Sequence, residues 1–181
     1  MRPAAAALAL LLAACSRAPE AAQTNTANDA AAVEPVPEDR ILLRGDGLLV
    51  ETEGHAAPLT FGNSTVSEAE YALGGFGPAK ASESSEECPT GKLDYRDYPN
   101  GLQLAFQEDK LVGWWAFEKA TGVATAGGIK PGSPRSALGK TEVQQASFGN
   151  VFTVQDVNGL LNDEKASKVT AMWAGAACIF D

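Results

Sequence analysis

A single histidine, His55, offers the usual general base, and three cysteines, Cys15, Cys88 and Cys178, offer nucleophilic, redox or metal chemistry. His55 sits in Glu53-Gly54-His55-Ala56-Ala57-Pro58, a loop by composition. A Ser–His–Asp hydrolase would depend on it, yet no Gly-x-Ser-x-Gly elbow presents a nucleophile. The acidic pairs Glu86-Glu87 and Glu108-Asp109 could act as general acid and base. Adjacent carboxylates on polar turns are ordinarily just solvated. Gly139-Lys140-Thr141 imitates the end of a phosphate-binding loop, but the position five residues before Gly139 is Pro134, not Gly. No cysteine has a Cys-x-x-Cys partner, and one histidine is too few for a zinc site. The expectation is no catalytic residue, no cofactor and no metal.

The elements that would position any site centre on residues 100–117, NGLQLAFQEDKLVGWWAF, which read as an antiparallel hairpin. Leu102, Leu104 and Phe106 alternate with Gln103, Ala105 and Gln107, the period-2 pattern of a half-buried strand. Residues 107–110 supply the turn, which pairs Phe106 with Leu111, Leu104 with Gly113 and Leu102 with Trp115. Trp115 then faces the core. Trp114 faces the opposite side, where an exposed aromatic would mark a partner surface. Trp114 is therefore the candidate binding residue.

Earlier, residues 41–51 read as two short strands around Gly45-Asp46-Gly47. Thr65-Val66-Ser67-Glu68 fits a capping box, and Val66, Ala69, Ala72 and Leu73 follow at helical spacing up to Gly74-Gly75. Ser133-Pro134 suits the start of a second helix, closed by Ala137-Leu138-Gly139. Strands follow at residues 143–148, 151–154, 157–161 and 168–178. The closing Ala-Leu-Gly recurs 65 residues after Ala72-Leu73-Gly74, and Trp173-Ala174 recurs 58 residues after Trp115-Ala116. The pattern predicts an α+β domain of two tandem repeats, residues 60–117 and 130–178, each a short helix on antiparallel strands. This layout resembles the folds of β-lactamase-inhibitor protein and of the small lipoprotein of the outer-membrane barrel-assembly machinery. The resemblance rests on Gly132-Ser133-Pro134, Leu138-Gly139 and the helix-then-hairpin order, and it carries over no functional residue.

The N-terminus carries an address. Residues 4–14 are an apolar run of eleven, too short to span a bilayer, which needs ~20. Leu12-Ala13-Ala14-Cys15 follows Arg2 and this run, and it resembles the lipobox of bacterial lipoproteins. The family implies cleavage after Ala14, diacylglycerol on the Cys15 sulfur and acylation of the new amino group. Ser16, rather than Asp, implies transfer to the outer membrane, on its periplasmic face. Residues 1–14 are thus read as a signal peptide and 15–37 as a lipidated tether without aromatics. Residues 38–181 are the folded domain.

With Cys15 acylated, Cys88 and Cys178 remain, and two cysteines in an exported domain read as a disulfide. A formal charge of −9 argues against nucleic acid and against an electrostatic grip on anionic lipid. Membrane contact is therefore expected through the lipid alone. The function expected is a non-catalytic binding or accessory module on the outer membrane, touching envelope protein or cell-wall material. Two alternatives stand beside it: a hydrolase of envelope material using His55 or a carboxylate pair, and an inhibitor of a secreted enzyme.

Overall fold

The structure, a computed structural model, describes residues 39–52, 54–82, 84–86, 88–162, 165–176 and 178. The expected signal peptide, Cys15 and the tether lie outside the described residues, as does Glu87. The chain opens with β1 Arg40–Arg44, β2 Gly47–Thr52, β3 His55–Thr60 and helix α1 Val66–Ala72. β4 Lys80–Ala81, β5 Asp94–Asp97, β6 Leu102–Gln107 and β7 Lys110–Phe117 follow. After β8 Val123–Thr125 come β9 Val143–Ala146, β10 Gly149–Val154, β11 Val157–Leu161 and β12 Val169–Gly175. A four-stranded sheet runs β3-β2-β1-β8, and an eight-stranded sheet runs β4-β5-β6-β7-β12-β11-β10-β9.

The two sheets share one core. Ile41, Leu43, Leu48, Val50 and Leu59 of the smaller sheet meet Leu102, Leu104, Phe106, Trp114 and Met172 of the larger. Period-2 alternation along β1 and β6 sends these side chains inward, which is how two half-apolar sheets come to stack. Tight turns set the pairings. Glu108 and Asp109 between β6 and β7 both have positive φ, 48° and 64°, the I′ pattern that matches strand twist. Gln155 and Asp156 repeat it between β10 and β11.

This architecture overturns the α+β expectation. The chain is mostly β, and residues 60–117 and 130–178 are not helix-on-strand repeats. Only the first expected helix forms. The Thr65 hydroxyl accepts from the Glu68 amide at 3.3 Å, and Glu68 accepts from the Thr65 amide at 2.7 Å. The Thr65 amide, with the Thr65 hydroxyl donating to the same oxygen at 3.0 Å, holds the Glu68 carboxyl below its usual range. Asp109, in the hairpin turn, accepts a further bond from Val66 N at 3.4 Å. At the second position Arg135–Leu138 make only a 3-10 turn, with Pro134 extended and no side-chain cap. Ser133 is engaged elsewhere, because its hydroxyl accepts from Lys130 N at 3.1 Å. Pro134 bridges Lys168 in strand fashion, and Gly139 ends the turn at φ 58°. Four residues held so at both ends cannot nucleate an α-helix.

Sequence reading also missed short strands. His55 begins β3, where a loop was expected, and β3 pairs along its length with β2. No strand was expected at β4, β5 or β8, because they are short or small-residue strands with little alternation.

Beneath the hairpin Tyr98 is buried, and its hydroxyl has no hydrogen-bond partner among the described residues. Burial, with the nearby Glu70 carboxylate, pushes its pKa from 10.0 up to about 12, partly offset by Arg96. A raised folded-state pKa means the stability is complete below the unfolded value of 10.0 and drains away towards about 12. Denaturant melts on either side of pH 10.0 should therefore show wild-type stability falling with pH. Tyr98→Phe should flatten that fall without removing it, since burial raises Tyr95 as well. Equal slopes in the two proteins would refute the assignment.

Candidate functional site

The face of the eight-stranded sheet turned away from the core divides into a covered half and an open half. The covered half is built by the disulfide between Cys88 and Cys178, whose Cα atoms lie 5.5 Å apart. Cys88, Leu93 and Ala105 cluster there, with Tyr95, Val112, Ala176 and Cys178 packed against them. The chain leaving β12 crosses directly over the sheet, and Ala176 N donates to the Val112 carbonyl at 2.8 Å. Gly113 lets it do so, because a Cβ there would meet the Ala176 oxygen at 2.6 Å. Gly175 turns the chain at φ 76°, a conformation that favours glycine. The expected disulfide is thus present, and it encloses a separation of 90 residues.

The open half is aromatic. Trp115 on β7 lies directly opposite Trp173 on β12, with stacked rings 4.9 Å apart between centroids. Phe117 stacks beside Trp115 at 5.8 Å, and Phe148 meets Trp173 edge-on at 6.5 Å. Phe117 and Phe148 are exposed, Trp115 is half-buried, and Trp173 is buried beneath its neighbours. Polar side chains flank the rings in register: Gln103 opposite Trp115, Asn158 opposite Trp173, and Thr153 opposite Asn158. Beyond Trp173 a cleft of about 410 Å³ opens, lined by Phe148, Asn158, Thr153, Gln144 and Glu142 among others. That volume falls within the ~300–1,000 Å³ typical of small-ligand sites.

Trp114, the candidate binding residue, is not on this face. Its side chain is 0 % exposed, and its indole N–H donates to the Arg44 carbonyl at 3.0 Å. The cause is a β-bulge. Phe106 pairs with Leu111 as expected, but Ala105 pairs with Gly113, so Val112 is an extra residue. Past the bulge the register is Leu104 with Trp114 and Leu102 with Ala116. One inserted residue exchanges the two faces for everything that follows. Trp114 becomes core and Trp115 becomes surface. Trp115, expected to face the core, stacks on Trp173 at the surface instead.

The remaining candidates do not converge. His55 is exposed at the start of edge strand β3, beside a cleft shared with Asp39, Thr52 and Tyr71. No side chain among the described residues hydrogen-bonds it. Glu86 is exposed, while Glu108 and Asp109 form the β6–β7 turn, far along the chain from His55. Lys140 is exposed after the 3-10 turn, without the strand-then-helix frame a phosphate loop requires. Sequence reading missed Phe117 and Phe148 as surface residues. Phe117 was within reach, since it lies two positions from Trp115 and must share its face. Compared with known proteins, the chain matches no family model, no curated protein and no solved structure at a significant level.

Proposed function

We propose that this protein is a lipid-anchored, non-catalytic binding module of the bacterial envelope, working through the open aromatic half of its eight-stranded sheet. The observation that carries the reading is the cluster of Trp115, Phe117, Trp173 and Phe148 on a sheet face that the disulfide cover leaves open. Aromatic side chains grouped on a surface supply contact area at low entropic cost, and recognition surfaces are enriched in them. The anchor rests on Leu12-Ala13-Ala14-Cys15, and Ser16 assigns it to the outer membrane. No helix among the described residues is long and apolar enough to cross a membrane. Attachment is assigned, from the lipobox resemblance, to acyl chains on Cys15, several of which hold where one would not.

Two measurements test the two halves of this reading. Cys15→Ala should move the protein out of the outer-membrane fraction, whereas mass spectrometry of an unmodified Cys15 at the mature N-terminus would refute the anchor. Crosslinking in isolated envelopes should lose its major adduct when Trp115→Ala and Phe148→Ala are combined. An unchanged adduct in that double variant would refute the binding face.

A further inference from the structure

We infer that the cleft beside Trp173 binds an uncharged glycan, its sugar rings lying against the aromatic cluster and its hydroxyls held by Asn158, Gln144 and Thr153. The inference rests on the binding-face reading and names its ligand class. A pyranose ring has one chemistry on its faces, apolar C–H, and another around its rim, hydroxyl groups that both donate and accept. A site for it needs aromatic surface next to unengaged neutral hydrogen-bonding groups. The cleft has both. Phe148 and Trp173 both line it and meet edge-on, at 64° between ring planes. The Thr153 hydroxyl donates to Asn158 Oδ1 at 2.9 Å, which orients that amide and leaves its nitrogen free of any bond among the described residues. Gln144 and Glu142 likewise make no side-chain hydrogen bond among the described residues, although both line the cleft.

Charge narrows the ligand further. The lining contains no Lys or Arg and one carboxylate, Glu142, in a chain of formal charge −9. A phosphorylated or uronic-acid ligand would meet repulsion with no cation to pair with. A protein partner would want a broad apolar patch, whereas here the rings are interleaved in register with Gln103, Asn158 and Thr153. Amide-lined surfaces also suit the N-acetyl groups of amino sugars, which carry one donor and one acceptor each. Stacked rings continuing from Trp173 through Trp115 to Phe117 extend the platform beyond the cleft. The ligand is therefore a chain rather than a single sugar.

The test is calorimetric titration of the mature acylated protein, residues 15–181, in a sugar-free detergent. The probes are N,N′,N″,N‴-tetraacetylchitotetraose, cellotetraose and, as the anionic control, tetragalacturonic acid. Binding of at least one uncharged tetramer, and none of the anionic one, is the expected result. Phe148→Ala and Asn158→Ala should each weaken it ~30-fold or more, the scale at which a central contact counts as a hot spot. Tyr71→Ala removes the most exposed aromatic among the described residues, at 91 %, on a different part of the surface, and should leave binding unchanged. Circular dichroism of each variant guards against misfolding, and the preference for uncharged over anionic tetramer is read on the wild type alone. Absence of binding to both uncharged tetramers, equal binding of the anionic one, or affinity unmoved by both cleft variants overturns the inference. If no tetramer binds while the envelope adduct still depends on Trp115 and Phe148, the glycan assignment falls and the binding face stands.

Discussion

Replacing Trp114 with Ala should lower the unfolding free energy by ~3–5 kcal/mol, the cost of emptying a large aromatic site in a packed core. Trp114 is fully buried, at 0 % exposure, between the hairpin and the β1–β2 turn. Truncation leaves a cavity lined by residues pinned in two different sheets, so the gap cannot collapse easily. It also strands the Arg44 carbonyl, which accepts the indole N–H at 3.0 Å. Arg44 is itself exposed and the bond is part-buried, so water can replace the lost donor and the cavity dominates the cost. At roughly 2–4 °C per kcal/mol for a chain of this size, the melting temperature should fall by roughly 10 °C. Trp115→Ala, made one position along, should cost distinctly less, because its ring is half-buried against other surface rings. Denaturant melts of both variants measure the contrast. If Trp115→Ala proved the more damaging, the bulge at Val112 would be misplaced and the surface cluster with it.

That contrast marks the limit of what the sequence alone could reveal. The hairpin was legible because Leu102, Leu104 and Phe106 alternate with polar or small neighbours, and its turn lies at the polar run expected. The bulge was not legible. Leu111 to Ala116 is Leu-Val-Gly-Trp-Trp-Ala, apolar at every position, so a shift of one residue leaves no mark in the hydrophobic pattern. Only Gly113 hinted at it, and its smallness serves the crossing chain at Ala176 rather than naming a register. The helix at α1 was legible through its capping box, a local device complete within four residues. The 3-10 turn at Arg135–Leu138 was misread because its entry is held elsewhere, the Ser133 hydroxyl by Lys130 N and Pro134 by a distant bridge to Lys168. The recurrence that predicted tandem repeats reduces to a cross-strand pair, Trp115 against Trp173. Cysteine pairing needed no geometry, only a count, which is why it could be read from the sequence.

Breaking the Cys88–Cys178 bond should cost ~2–5 kcal/mol, the usual range for removing a native bridge. The bond closes a separation of 90 residues, for which loop-closure entropy in the unfolded chain gives ~4–5 kcal/mol. The folded side adds a local effect. Without the bond, the segment after Gly175 keeps, among the described residues, one backbone tie to the sheet, Ala176 N to the Val112 carbonyl at 2.8 Å. Once that segment lifts, Leu93, Ala105 and Val112 lose their cover, and apolar surface opens on the covered half of the sheet. The damage should therefore be uneven. Amide hydrogen exchange should speed up in β5, β6 and the start of β7, while β10 and β11, on the far side of β12, stay protected until global unfolding. Cys88→Ser with Cys178→Ser, and wild type held in reductant, should give the same lowered denaturation midpoint and the same exchange map. A midpoint unmoved by reductant would mean that packing of the crossing segment, not the covalent bond, holds this half closed. Uniform acceleration across all eight strands would place the bond's whole effect in the unfolded chain and none in the cover.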